Sequence, residues 1–181
     1  MADFLSKEFN IEQIVKDYTG LIYSFVFRLT GEKDEASDIT QEVFVKIWKN
    51  LGKYNPDQSL KTWILAITRN TVIDWLRKKR PIIFSKLSQE GEEGKPDFGE
   101  NLADNQLLPD EIFAQKELRQ ELDKFINSLP FAQQEVFLLH LEDDLTFEEI
   151  AKVIGRPMNT VKSQYRRALI FLHQKLPSPR M

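Results

Sequence analysis

At 181 residues the chain can hold one large domain or two small ones, and its 41% apolar fraction is enough for folded cores. It has no Cys, which excludes a disulfide framework and a thiolate zinc site, and no stretch approaches the roughly 20 apolar residues of a membrane helix. A net charge of −3 and a pI of about 5.5 exclude the uniformly basic surface of a free-standing nucleic-acid binder.

The opening MADFLSKEFNIEQIVKDY carries charges throughout and has no apolar signal core, so the chain reads as cytoplasmic. Tyr18, Leu21, Ile22, Phe25 and Leu29 then make one face of a first long helix, which Gly31 ends. Asp34 and Glu35 suit the start of the next helix, where acids complement the dipole. That helix runs to about Leu51, with Ile39, Val43, Ile47, Trp48 and Leu51 expected inward. Gly52 and the cluster Tyr54-Asn55-Pro56-Asp57 form a loop. Ser59 can cap a third helix, whose expected apolar residues are Leu60, Trp63, Ile64, Ile67, Ile73 and Leu76. It ends in Arg77-Lys78-Lys79-Arg80 before Pro81.

From Lys61 to Arg80 there are six Lys or Arg against one acid, Asp74. Trp63 and Trp75 share this helix with the cations, a mixture that suits unpaired bases, which stack on flat rings while cations meet phosphates. The alternative is that both Trp are core and the basic end is a solvated helix terminus.

Residues 85–110 change character. Ser85 to Glu111 hold eight acids against two Lys, with no sustained period, and read as an acidic extended linker. Helix resumes near Pro109, with Asp110 and Glu111 in its first turn and Leu118, Leu122, Phe125 and Ile126 as a buried stripe. Leu129-Pro130 breaks it, and a helix follows from about Phe131 to Leu141.

Leu145 to Leu172 are the most telling stretch. Thr146 and Glu149 have capping-box spacing, with Leu145 and Ile150 at staple positions. Phe147, Ile150, Ala151 and Ile154 make one apolar face. Gly155 can take the left-handed conformation that closes a helix, and Pro157 suits the next helix entry. The last helix is expected to bury Val161, Tyr165, Ala168 and Leu172. Thr160, Lys162, Ser163, Gln164, Arg166 and Arg167 lie on its other face. From Arg156 to Met181 there are six Lys or Arg and no acid, unlike the mixed charges of a solvated face. A short helix, a Gly turn and a longer polar, cationic helix form a helix-turn-helix, for which duplex DNA is the leading ligand.

No Gly-rich phosphate loop or nucleophile–base pair is present, so neither an enzyme nor a cofactor is expected. His140 near Asp143 and Asp144 is expected to be part of a solvated helix end rather than a metal ligand.

The motifs together resemble a known family. Asp34-Glu35-Ala36-Ser37-Asp38-Ile39-Thr40-Gln41-Glu42-Val43-Phe44 is similar to the polymerase-binding segment of bacterial sigma factors. Leu60-Lys61-Thr62-Trp63-Ile64, with Arg69-Asn70 and Asp74-Trp75-Leu76-Arg77, resembles their segment that melts and reads the −10 promoter element. Leu129-Pro130, Glu135-Val136-Phe137, Glu148-Glu149-Ile150-Ala151, Gly155 and Thr160-Val161-Lys162-Ser163 resemble their −35-reading domain. Order, spacing and length are similar to the extracytoplasmic-function group, over about Asp17 to Leu176. Asn159 and Gln164 depart from it, standing where the group often has Gly and Arg.

The resemblance implies an all-α fold of two small helical domains joined by an acidic extended linker. The expected division is a region 2-like domain at 1–82, the linker at 83–110 and a region 4-like helix-turn-helix domain at 111–181. It implies a promoter-specificity subunit whose partners are core RNA polymerase, promoter DNA (duplex at −35, single-stranded at −10) and an anti-sigma factor, membrane-anchored in many members. Asp38, Gln41, Glu42 and Phe44 are then expected to dock on polymerase. Lys61, Thr62, Trp63, Arg69 and Asn70 are expected at the opened −10 strand, with a flipped base near the Asn55–Ser59 loop, and Arg77, Lys78 and Arg80 on duplex phosphates. Thr160, Lys162, Ser163, Gln164, Arg166 and Arg167 are expected at the −35 groove. The linker passes through polymerase in this family, where an acidic strand would resemble nucleic acid. The competing readings are a stand-alone helix-turn-helix regulator and a helical protein-interaction adaptor.

Overall fold

The computed structural model describes residues 10–79, 122–141 and 143–175. Among them it holds helices, one short 3-10 turn and no strand. In chain order these are α1 (Ile11–Thr30), α2 (Lys33–Asn50), the 3-10 turn (Leu51–Lys53), α3 (Leu60–Lys79), a helical stretch over 122–127, α4 (Phe131–Leu141), α5 (Phe147–Ile154) and α6 (Met158–Lys175). The all-α expectation is borne out. Arg80, the linker at 83–110, Asp110, Glu111 and Leu118 lie outside the described residues. No described helix is long and apolar enough to cross a membrane.

The first lobe is built from α1, α2 and α3. The Asn10 side chain caps α1 by accepting from the Glu12 N–H at 2.9 Å. Gly31, at φ 77°, closes it and donates its N–H to the Phe27 carbonyl. That left-handed turn favours a residue without Cβ and swings α2 back onto α1. Ile22, Phe25 and Val26 meet Ile39, Val43 and Ile47 in the core, with Ile64, Leu65 and Val72 of α3. Thr62, Thr68 and Thr71 are also buried on α3. Thr68 and Thr71 donate their hydroxyls to the carbonyls four residues earlier, which satisfies them within the helix. The burial of α3 is broad because it packs against α1, α2 and also α5.

The second lobe packs Ile126, Leu129, Val136 to Leu139, Leu145, Ile150, Val153, Val161, Ala168 and Leu172 together. The capping box forms as expected: the Thr146 hydroxyl accepts from the Glu149 N–H, and the Glu149 carboxylate accepts from the Thr146 N–H at 2.9 Å. Gly155, at φ 68°, ends α5. Thr146→Ala is expected to cost about 1 kcal/mol of stability. The Thr146 backbone N–H, then its hydroxyl, holds the Glu149 carboxyl below its ordinary range, with burial opposing. A carboxyl lowered by folding contributes stability above its unfolded pKa and loses it as pH falls through the folded value. Melts between neutral and acid pH should therefore show the Thr146→Ala deficit shrinking on acidification.

Three expectations are corrected. Trp48 is 65% exposed rather than inward, because on α2 it lies about 100° round from buried Ile47. Leu122 is 43% exposed and does not join the stripe of Ile126. His140 is half-buried rather than a solvated helix end. Its ring lies 4.5 Å from that of Phe147 and 4.7 Å from that of Tyr165, with Nδ1 2.8 Å from the Leu145 carbonyl. The acceptor carbonyl places the proton on Nδ1. Among the described residues no His, Asp and Glu gather as a metal site.

Candidate nucleic-acid and docking interfaces

On α2, Asp38, Gln41 and Glu42 are exposed, while Phe44 is half-buried against the core. Helical spacing puts Val45 and Trp48 on the same stripe as Asp38, Gln41 and Glu42, and they are 48% and 65% exposed. This face therefore has an apolar centre with an acidic, amide-bearing rim. The i, i+3, i+4, i+7 count begun at Asp38 takes in Val45, and one further step of three reaches Trp48. Glu42 pairs with Lys46 at 2.9 Å, half-exposed, and contributes little to stability by itself.

On α3 and the loop before it, the nine described residues of the expected −10 set do not share one open groove. Asn55, Ser59, Asn70, Arg77 and Lys78 face solvent. Ser59 Oγ lies 3.4 Å from the Thr62 N–H at the helix entry. Arg77 lies 3.9 Å from Asp74. Trp63 is half-buried with its ring 5.1 Å from that of Tyr54, so it has a packing role whatever else it touches. Trp75 is also half-buried and donates its indole N–H to Glu35 at 2.7 Å, under the Lys79 ammonium. Hydrogen bonding from Lys79, opposed by burial and helped by Trp75, lowers the Glu35 carboxyl below its usual range.

Lys61, Thr62 and Arg69 face the second lobe. Lys61 donates from Nζ to the Asp143 carbonyl. Thr62 is buried. Arg69 grips Glu135 with two bonds, Nε to Oε2 at 2.7 Å and Nη2 to Oε1 at 3.2 Å. The side chains of this pair are only 12% and 3% exposed. Burial pushes the Glu135 carboxyl above its ordinary range, and Arg69, with Arg156 further off, pulls it back.

On α6, Val161, Ala168 and Leu172 are buried and Tyr165 is half-buried. The outward stripe is Asn159, Lys162, Ser163 and Arg166, all exposed at i, i+3, i+4 and i+7. Arg167 is exposed beside it. Thr160 and Gln164 are half-buried and line a small cleft with Glu135 and Arg156. Ser163 donates its hydroxyl to the Thr160 carbonyl at 2.8 Å, leaving its lone pairs outward. Asn159 belongs to the stripe, and a count of charges along this segment does not single out an uncharged amide.

Residues 14–82 match the Sigma-70 region 2 model and residues 119–172 the Sigma-70, region 4 model. The chain is 31% identical to the ECF RNA polymerase sigma factor SigW of Bacillus subtilis, over 90% of this chain and 87% of that one. It is 30% identical to the ECF RNA polymerase sigma-E factor of Escherichia coli, over 90% and 83%. Among solved structures, the sigma factor RpoE in complex with the anti-sigma factor NepR, from Bartonella quintana, aligns with a TM-score of 0.69 at 22% identity, over 93% of this chain and 98% of that one. CnrH in complex with the cytosolic domain of CnrY aligns at 0.63 and 20% identity, over 96% and 92%. These two structures share the fold.

Proposed function

This chain belongs to the extracytoplasmic-function group of the sigma-70 family, promoter-specificity subunits of RNA polymerase rather than enzymes, and from that membership we propose how its surfaces divide the work. Residues 1–82 bind core polymerase and handle the −10 element, 83–110 link, and 111–181 read the −35 element. The α2 stripe of Asp38, Gln41, Glu42, Val45 and Trp48 docks on core polymerase, with Phe44 backing it from the core. The α3 surface of Lys61, Thr62, Trp63, Arg69 and Asn70, with Asn55 and Ser59 at its mouth, holds the opened −10 strand. Arg77, Lys78 and Arg80 follow the adjoining duplex. Polymerase places this work in the cytoplasm. An anti-sigma factor is the proposed regulator, since RpoE, which shares the fold, is solved in complex with one.

The outward stripe of α6 carries the reading best. Asn159, Lys162 and Ser163 stand at the start of the recognition helix, where side chains reach base edges, and Arg166 and Arg167 stand a turn later, where cations meet phosphates. Thr160 and Gln164 flank this stripe from the cleft side. Run-off transcription from a −10/−35 promoter, with purified core polymerase and this chain, tests it. Core-dependent initiation is expected. Tight operator binding without core would instead favour a stand-alone regulator.

Arg166→Ala is expected to weaken −35 duplex binding about equally across sequences. It should also lower the slope of log K against log salt by about 0.9, the share of one phosphate. Asn159→Ala should instead relax sequence preference, by about 1–3 kcal/mol at one base pair if the amide pairs with adenine. A salt titration over a promoter series distinguishes the two.

A further inference from the structure

We propose that Tyr54 is a positioning residue for base capture: its hydroxyl holds the exposed turn at 55–58 where an unstacked −10 base is received. This rests on the reading of α3 and the loop before it as the −10 surface. The turn itself is made locally. The Gln58 N–H donates to the Asn55 carbonyl at 3.0 Å, and the Asp57 N–H donates to Asn55 Oδ1 at 3.1 Å. Pro56 stands at the second position of that turn, which its fixed φ suits. Asn55, Pro56, Asp57, Gln58 and Ser59 are all exposed, so burial of their own side chains does not fix the turn against the lobe.

Tyr54 supplies what the turn lacks. It is 7% exposed, its ring lies 5.1 Å from that of Trp63 on α3, and its N–H donates to the Leu51 carbonyl at 3.1 Å. Tyr18 of α1 lies near enough that Tyr54, after burial and Asp17, adds to the rise of its hydroxyl above the ordinary range. From this fixed seat the Tyr54 hydroxyl donates to the Gln58 carbonyl at 2.5 Å, four residues on, and closes the two ends of the loop. A phenylalanine would fill the same seat and pack on Trp63 as well; it is the oxygen that reaches the loop.

Placement matters because of what the loop carries. Asn55 Oδ1 is spent on the Asp57 N–H, so its amide NH2 is the group left to meet a ligand. Ser59 Oγ, which lies 3.4 Å from the Thr62 N–H as an acceptor, keeps its proton for donation. A base drawn out of the stack is read by hydrogen bonds to its open edge. Two donors four residues apart read acceptors on that edge together only when the loop between them is already in place. A loop in the receiving shape for part of the time binds the base more weakly by that fraction.

Tyr54→Phe keeps the ring and removes the tether. Holoenzyme made from the full-length variant and core polymerase is expected to open a −10/−35 promoter about tenfold less readily, with core affinity unchanged. Far-UV circular dichroism checks that the variant is folded. A second arm uses promoters in which one base at a time of the opened −10 strand is replaced by an abasic site. At the base the turn receives, wild type and Tyr54→Phe should open the abasic promoter equally, because there is no base to seat. A deficit of the same size at every position overturns the proposal, and so does unimpaired opening by folded Tyr54→Phe. The −10 reading is tested apart by Asn70→Ala, exposed and further along α3. Unimpaired opening there rejects that reading, whereas impaired opening there beside unimpaired Tyr54→Phe rejects the tether alone.

Discussion

Trp48→Ala is expected to weaken binding of the chain to core RNA polymerase by about thirtyfold, roughly 2 kcal/mol, while leaving thermal unfolding unchanged. Trp48 is 65% exposed, so its removal leaves no cavity. An exposed indole beside Val45, rimmed by Asp38, Gln41 and Glu42, has the composition of an interface anchor: a large ring that displaces water at the centre and polar groups that set orientation at the edge. Charge reversal at Glu42 should matter less, because an exposed carboxylate already satisfied by Lys46 brings little net energy to a contact. Competition between labelled wild type and the variants for core polymerase measures both. Trp48→Ala binding within twofold of wild type would remove it from the docking face.

The largest stability effect is expected from Ile150→Ala, at about 2–5 kcal/mol. Ile150 is fully buried on α5, the first helix of the helix-turn-helix. A loss of that size in a small domain lowers its melting temperature by about 10 °C or more. All three Trp, at positions 48, 63 and 75, belong to the first lobe, so indole fluorescence follows that lobe while far-UV circular dichroism follows both. The variant should therefore show a circular-dichroism transition that precedes the fluorescence transition. Coincident transitions would mean that the two lobes unfold as one unit.

Much of the architecture could be read from local chemistry. The capping box at Thr146 and Glu149, the left-handed glycines 31 and 155, and the break at Leu129-Pro130 all stand where their residue types require. The α6 face was legible for the same reason, since one side of an amphipathic helix is set by spacing alone. The direction of Trp48 was legible only through the helical step, not through its neighbours. A Trp next to Ile47 looks like core, and only the angle around the helix shows that it points out. His140 looked solvated because its neighbours in sequence are acids, whereas its neighbours in space are Phe147 and Tyr165. The engagement of Arg69 was beyond any local pattern, as Glu135 is 66 residues away. Helical period tells which residues share a face of α3 but not which other helix comes to cover it.

The Arg69–Glu135 pair also bears on how such proteins can be recombined. Glu135 faces the cleft that Gln164 and Arg156 line beside the recognition helix, and it also holds a residue of the other lobe. A hybrid made by grafting a relative's −35 lobe onto this first lobe inherits Arg69 with whatever that relative carries opposite it. Exchange of specificity modules is thus subject to a compatibility condition separate from any promoter contact: the incoming lobe must supply an acid where Glu135 stands, or Arg69 loses its carboxylate partner.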